Sequence, residues 1–275
     1  GGTAVPVDVE QPADYIASMV KYADVECVII SENASDILAQ SPLLSAMNKI
    51  IISEAGGKNT LAEYIEYGKS LLASGSRAGE GLNIKNEDTA VIVYTSGTTS
   101  TAKPVMLSHY AIMQNACYCN AVVDFNKRVF TSLPLYHSYG LTCTVINNLA
   151  RGAHVCINGD IKHMARDLEL FKPQTVMTVP LIVDVFIRKL TAETDRIIEE
   201  KTKENESSSF RKIFGKGKVT YNPDLKSVKE KVFPNLTFIG CGGAHLADSL
   251  SHTLNRYGIQ VIHGYGITEN SPLIS

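Results

Sequence analysis

The chain has 275 residues, 44% hydrophobic and 20% charged, a mixture that supports a packed core and excludes a disordered or rod-like chain. Its 26 Lys and Arg against 28 Asp and Glu leave a net charge of −2, so no global basic field holds nucleic acid. The six cysteines, Cys27, Cys117, Cys119, Cys143, Cys156 and Cys241, form no C-x-x-C pair; they read as core filler in a reducing, cytoplasmic setting rather than as disulfides or a zinc site.

In chain order, residues 3–7 are predicted as a strand, 12–23 as a helix with Pro12 near its first turn, and 25–30 and 50–52 as strands. Thr60-x-x-Glu63 is a capping box opening a helix to about Leu72, and the Gly/Ser-rich residues 73–86 read as a loop. Strand 90–94 follows, then a helix from Ser108 to about Val122, strand 129–133, a helix or long loop, and strand 153–157. Residues 160–171 are predicted as a helix ended before Pro173, 175–178 as a strand and 180–189 as a helix. Strands 236–239 and 260–262 flank a helix over 247–257 that ends at Gly258. This alternation predicts an α/β fold of mostly parallel sheets flanked by helices. Residues 191–231 depart from it as an extended helix plus a polar excursion, with Arg211, Lys212, Lys216 and Lys218 beside Phe210, Ile213 and Phe214. That patch reads as a solvated loop, with peripheral membrane contact through 210–218 as the alternative. No apolar run reaches the ~18 residues of a membrane span.

Four segments at strand ends carry the candidate chemistry. The first runs Tyr94, Thr95, Ser96, Gly97, Thr98, Thr99, Ser100, Thr101, Ala102, Lys103. Hydroxyls and backbone N–H groups in a tight loop cradle oxyanions, and a lysine adds a point charge for phosphate. The pattern is not a Walker A loop, and neither G-x-G-x-x-G nor G-x-S-x-G occurs. The second places His137 after strand 129–133, where open α/β sheets bind ligands. In the third, Gly240, Gly242 and Gly243 with Ala244 let a flat ligand approach the backbone. In the fourth, Gly264, Tyr265, Gly266, Thr268 and Glu269 offer a stacking ring, a hydroxyl and a hard oxygen ligand for Mg2+.

Taken together, these segments resemble the adenylate-forming (AMP-binding) superfamily, in particular its long-chain fatty acyl-CoA synthetases. Residues 94–103 are similar to the family phosphate loop YTSGTTGxPKG, 133–140 to its LPLFH segment, 242–244 to its GGAP loop and 264–269 to its GYGxTE signature. The polar stretch 191–231 resembles a helical excursion of the fatty acyl branch. The resemblance implies an enzyme that makes an acyl-adenylate from ATP and a carboxylic acid, with a fatty acid expected, and then transfers the acyl group to CoA. It implies that Thr95, Ser96, Gly97, Thr98, Thr99 and Lys103 hold the β- and γ-phosphates, and that His137 sits near the reacting carboxylate. It places Gly242, Gly243 and Ala244 along adenine with Tyr265 and Gly266, Thr268 at the α-phosphate and Glu269 on Mg2+.

The chain departs from the family pattern at Ser100 and Pro104, where the loop has glycine, at Ala102, where it has proline, and at His245, also a proline there. Losing both glycines stiffens a loop that closes on pyrophosphate. A non-catalytic nucleotide-binding relative and an acyl–carrier-protein ligase therefore stay open as alternatives. Residues 1–275 are expected to be part of a large N-terminal domain, without the small C-terminal domain that carries a further lysine in the family.

Overall fold

The computed structural model describes residues 2–53, 58–95, 102–123, 126–207 and 221–275. Two compact units emerge, Gly1–Tyr110 and Ala111–Ser275.

In the first unit, helix α1 (Ala13–Tyr22) buries Ala13, Ile16, Ala17 and Val20, the i, i+3, i+4, i+7 stripe of an amphipathic helix. The stripe packs with Ile30, Leu38 and Leu44. Ile30 lies on β1 (Cys27–Ser31), which pairs in parallel with β2 (Asn48–Ile52). Two short helices missing from the sequence reading, α2 (Asp36–Ala39) and α3 (Pro42–Ala46), connect these strands and supply Leu38 and Leu44. At one turn each they are too short to show a helical period. The capping box is present at α4 (Leu61–Ala73): Thr60 Oγ1 accepts from Glu63 N at 3.3 Å, and Glu63 Oε2 accepts from Asn59 N at 2.6 Å. Residues 3–7 do not form the predicted strand. Ala4 alone bridges to Val91, and Pro6, which has no N–H, cannot extend the pairing.

β3 (Thr89–Thr95) pairs with β4 (Lys103–Ser108), and this pair is antiparallel. It corrects two expectations. The strand Lys103–Ser108 is not among the predicted elements, and its antiparallel pairing departs from the mostly parallel pairing expected. Pro104 belongs to β4, opposite Tyr94, and not to the loop; a two-stranded ribbon is all edge, where sheets accept proline. Ser96, Gly97, Thr98, Thr99, Ser100 and Thr101 lie outside the described residues.

In the second unit, α5 (His109–Val122) leads to a five-stranded sheet in the order β6-β5-β7-β8-β9, parallel throughout. The strands are β5 (Arg128–Thr131), β6 (His154–Ile157), β7 (Thr175–Thr178), β8 (Phe238–Cys241) and β9 (Gln260–His263). All four residues of β7 and of β8 are buried, as expected of inner strands covered on both faces. After β5, a π-helical turn (Tyr139–Ile146) runs into α6 (Asn147–Ala150). Its irregular carbonyls are met by side chains: Asn148 Nδ2 donates to Thr144 O at 2.6 Å and Asn147 Nδ2 to Cys143 O at 3.3 Å.

A 3-10 turn capped by Asp160 precedes α7 (Met164–Phe171), which ends at Lys172 with φ 45° before Pro173. Helix α8 (Pro180–Ser207) is the extended helix read from the sequence. Its first turns bury Ile182, Val183, Phe186 and Leu190 against Phe130, Val176 and Ile239, each side chain stabilising by about 1.5–3 kcal/mol. Further along, Arg196 bridges Glu193 at 2.6 Å and also pairs with Glu200. Helix α9 (Leu225–Val232) is capped by Asp224 and sends Lys231 to Glu193 at 2.9 Å. The cationic groups of Arg196 and Lys231 hold the Glu193 carboxyl down at about 2. Helix α10 (Asp248–Arg256) precedes β9. The basic patch at 210–218 lies outside the described residues. No described helix is long and apolar enough to cross a membrane. Four of the six cysteines are buried, and none is in a disulfide among the described residues.

Candidate active site at the carboxyl edge of the parallel sheet

The chain passes from β5 to β6 on one side and then crosses to β7 on the other. That reversal is a topological switch point, and in open α/β sheets ligands bind outside the strand carboxyl ends there. Three predicted segments in this unit follow such ends: His137 after β5, Gly242 to Ala244 after β8, and the residues after β9.

After β5, the main chain turns tightly. Gly140 is buried, and a Cβ on it would meet the Pro134 carbonyl oxygen, so this turn accepts only glycine without shifting. His137 is exposed, its ring centroid 4.7 Å from that of Tyr136. Its neighbour Tyr139 fills the space under the switch point. The Tyr139 hydroxyl donates to Gly240 O at 3.2 Å and Thr178 O at 3.4 Å, tying β7 to β8. Burial pushes its pKa well up, so it stays a neutral donor.

The turn after β8 is set by its own backbone. Gly242 N donates to Thr178 O at 3.1 Å, and a Cβ on Gly242 would stand 3.2 Å from the Tyr139 ring. Gly243 has φ +82°, a conformation that favours glycine. Ala244 O is held by His263 Nε2 at 2.8 Å. His245, where the family has proline, makes an edge contact with His263 at 6.1 Å between centroids.

The segment after β9 is a small hairpin. Gly266 and Leu273 bridge antiparallel, Tyr265 N donates to Ser275 O at 2.7 Å, and Ile267 N donates to Pro272 O at 2.9 Å. A Cβ on Gly266 would run into the Pro272 carbonyl. The tip is a 3-10 turn, Thr268–Asn270, closed by Ser271 at φ 70°. Tyr265 is 61% exposed, which leaves its ring face available for stacking. Ser138 Oγ donates to Thr268 Oγ1 at 3.3 Å, so the loop bearing His137 touches the turn bearing Thr268 and Glu269. The Oγ atoms of Thr178 and Ser271 are buried without a hydrogen-bond partner among the described residues.

These residues fit a nucleotide carried with Mg2+. Glu269 is a single exposed carboxylate, and no cluster of three or more His, Cys, Asp or Glu is placed to hold a metal among the described residues. Mg2+ takes one or two protein carboxylates and completes its shell with phosphate and water, so one carboxylate suits it. Gly243 has a positive φ and the Tyr265 ring is open to solvent, surfaces suited to a flat base.

Thr95 and Lys103 belong to the first unit. Lys103 is exposed, and Thr95 Oγ1 donates to Lys103 O at 3.4 Å across the ends of β3 and β4. The sequence reading passed over Tyr139 and Asn115 of α5. Asn115 was detectable: it shares the buried face of α5 with Ile112, Ala116 and Cys119, and a polar residue in an apolar stripe needs a hydrogen-bonding reason.

The chain resembles known proteins in sequence and in fold. The chain is 28% identical over 204 residues to the peroxisomal long chain acyl-CoA synthetase 7 of Arabidopsis thaliana, covering 70% of this chain and 29% of that protein. It is 24% identical over 274 residues to the putative acyl–CoA ligase YdaB of Bacillus subtilis, covering 98% of this chain and 46% of that one. It thus spans less than half the length of both. A malonyl-CoA ligase in a ternary product complex with methylmalonyl-CoA and AMP shares the fold, with a TM-score of 0.65 at 19% identity over 97% of this chain and 47% of that one. Residues 1–275 match the AMP-binding enzyme family from end to end, and the chain belongs to that family.

Proposed function

We propose that the protein carrying this chain activates a carboxylic acid with ATP and passes the acyl group to CoA. A carboxylate oxygen attacks the α-phosphorus, the bond to the bridging oxygen breaks, and pyrophosphate leaves. The CoA thiol then displaces AMP from the acyl carbon. The observation that carries this reading is the placement of His137, the Gly242 to Ala244 turn, and Tyr265, Thr268 and Glu269 at the carboxyl edge of one parallel sheet. AMP is the ligand of the malonyl-CoA ligase of the same fold, which supports adenine along Gly243 and Ala244 and against Tyr265.

Each residue has a physical task. Thr268, held by Ser138, supplies a hydroxyl to the α-phosphate. His137, a donor exposed at the end of β5, serves the oxyanion developing between carboxylate and phosphate. Glu269 would hold Mg2+, which when bound would supply positive charge on the pyrophosphate side. Lys103, with Thr95, serves the β- and γ-phosphates. The acid is proposed to be a fatty acid, supported by the long chain acyl-CoA synthetase among the relatives.

The test is pyrophosphate release by the full-length protein across acids of increasing chain length, with and without CoA. Release with a fatty acid, lost about 100-fold in Lys103→Ala, supports the reading. ATP–Mg2+ binding without release for any acid identifies a non-catalytic nucleotide-binding relative instead. Acyl transfer to a carrier protein but not to CoA corrects the acceptor.

A further inference from the structure

Asn115 lies on the inner face of α5, 5% exposed, and belongs to none of the four motifs. Its side chain is spent on the hairpin after β9. Nδ2 donates to Asn270 O at 3.0 Å and to Leu273 O at 2.9 Å. Oδ1 accepts from Leu273 N at 3.3 Å. One amide therefore spans the hairpin, from the tip that carries Thr268 and Glu269 to the returning strand. Both N–H donors and the carbonyl of Asn115 are engaged, which fixes the amide orientation. The thiols of Cys119 and Cys143 lie 3.8 Å from Oδ1 and 3.7 Å from each other, closing the rear of the pocket. The Cys143 thiol is pushed up by its contact with Cys119 and by burial, so it remains protonated.

An apolar residue of similar size would fill this space. It would also leave the carbonyls of Asn270 and Leu273 without their side-chain donor, and the tip without its tie to α5. The hairpin's own bonds hold its two arms together but do not tie the tip to the sheet. Among the described residues, Ser138 on Thr268 and Asn115 on Asn270 and Leu273 supply side-chain hydrogen bonds to the hairpin from outside it.

We propose that Asn115 is the positioning residue that sets Glu269 and Thr268 for the metal-bound nucleotide, an inference that rests on the function proposed above. Asn115 touches no reacting atom; it acts through the carbonyl of Asn270, one residue past Glu269. Loss of the clamp lets the carboxylate wander, which weakens Mg2+-dependent turnover and leaves recognition of the acid alone.

The experiment compares wild type, Asn115→Ala and Asn115→Asp in the full-length protein. Asn115→Asp keeps size and an acceptor for Leu273 N while losing both donors. Two measurements are made: pyrophosphate release as a function of free Mg2+ and of acid, and amide hydrogen exchange over residues 264–275. The expected result is a kcat at least 10-fold lower, half-saturating Mg2+ at least 5-fold higher and acid KM within twofold, with faster exchange at Ile274 and Ser275. Cys119→Ala keeps the wild-type Mg2+ dependence. Unchanged exchange in Asn115→Asp overturns the clamp, whatever the activity. Faster exchange with unchanged Mg2+ dependence overturns the positioning role and leaves a structural one. Wild-type protein without pyrophosphate release overturns the proposed function, and exchange still decides the clamp.

Discussion

The turns after β8 and β9 are built by different means. The turn after β8 rests mainly on its backbone: Gly243 takes φ +82°, and Gly242 N bonds the neighbouring strand at Thr178 O. The turn after β9 is held by parts remote in sequence, Asn115 on α5 and Ser138 after β5. A backbone-encoded turn keeps its shape when its surroundings change. A turn held by partners depends on every partner, and that dependence lets Glu269 be placed accurately while remaining at the surface.

The largest effect is expected at the chemistry on the partner-held turn. Glu269→Gln keeps size and removes the charge, and should lower kcat for pyrophosphate release by about 100-fold, near 3 kcal/mol in the transition state, with little change in melting temperature. An equal loss of stability would mean that Glu269 supports the turn instead of the metal. Next is Gly266→Ala, whose Cβ would strike the Pro272 carbonyl; opening the hairpin should cost about 2 kcal/mol in denaturant unfolding and speed exchange at Ile274. A neutral result would show that the two arms yield easily. Gly243→Ala is sterically open, with Val179 Cγ1 at 3.6 Å, so only the strained φ counts, about 1 kcal/mol. Here exchange over 264–275 should stay at the wild-type rate; a change there would erase the contrast between the turns.

The smallest effect is a control remote in sequence from both turns. Glu193 is held at about 2 by Arg196 and Lys231, below the usual 4.5. A carboxyl depressed in the folded state stabilises fully above its unfolded value, and that contribution fades as pH falls from about 4.5 to about 2. Glu193→Gln should therefore melt a little below wild type at pH 7 and converge with it near pH 2. Curves that run parallel over this window would show that the α8–α9 ion pair contributes no pH-dependent stability.

The sequence by itself determined the elements with strong local signals. Helix α1, the Thr60 capping box and β7 appear where local signals placed them, while β8 begins two residues later than the strand read at 236–239. The glycines at 243 and 266 were legible because their backbone needs are local, a positive φ and the nearby Pro272 carbonyl. Tertiary structure decided the rest. The antiparallel pairing of β3 with β4, and the failure of residues 3–7 to form a strand, depend on which backbone groups find partners, and strand pattern alone is silent on pairing direction. The sheet order places the switch point between β5 and β7, which turns three separate motifs into neighbours at one edge. The tasks of Tyr139 and Asn115 were decided there too. A buried hydroxyl or amide gets its role from the carbonyls that packing brings within about 3 Å, and those carbonyls come from residues as distant as Gly240 and Leu273.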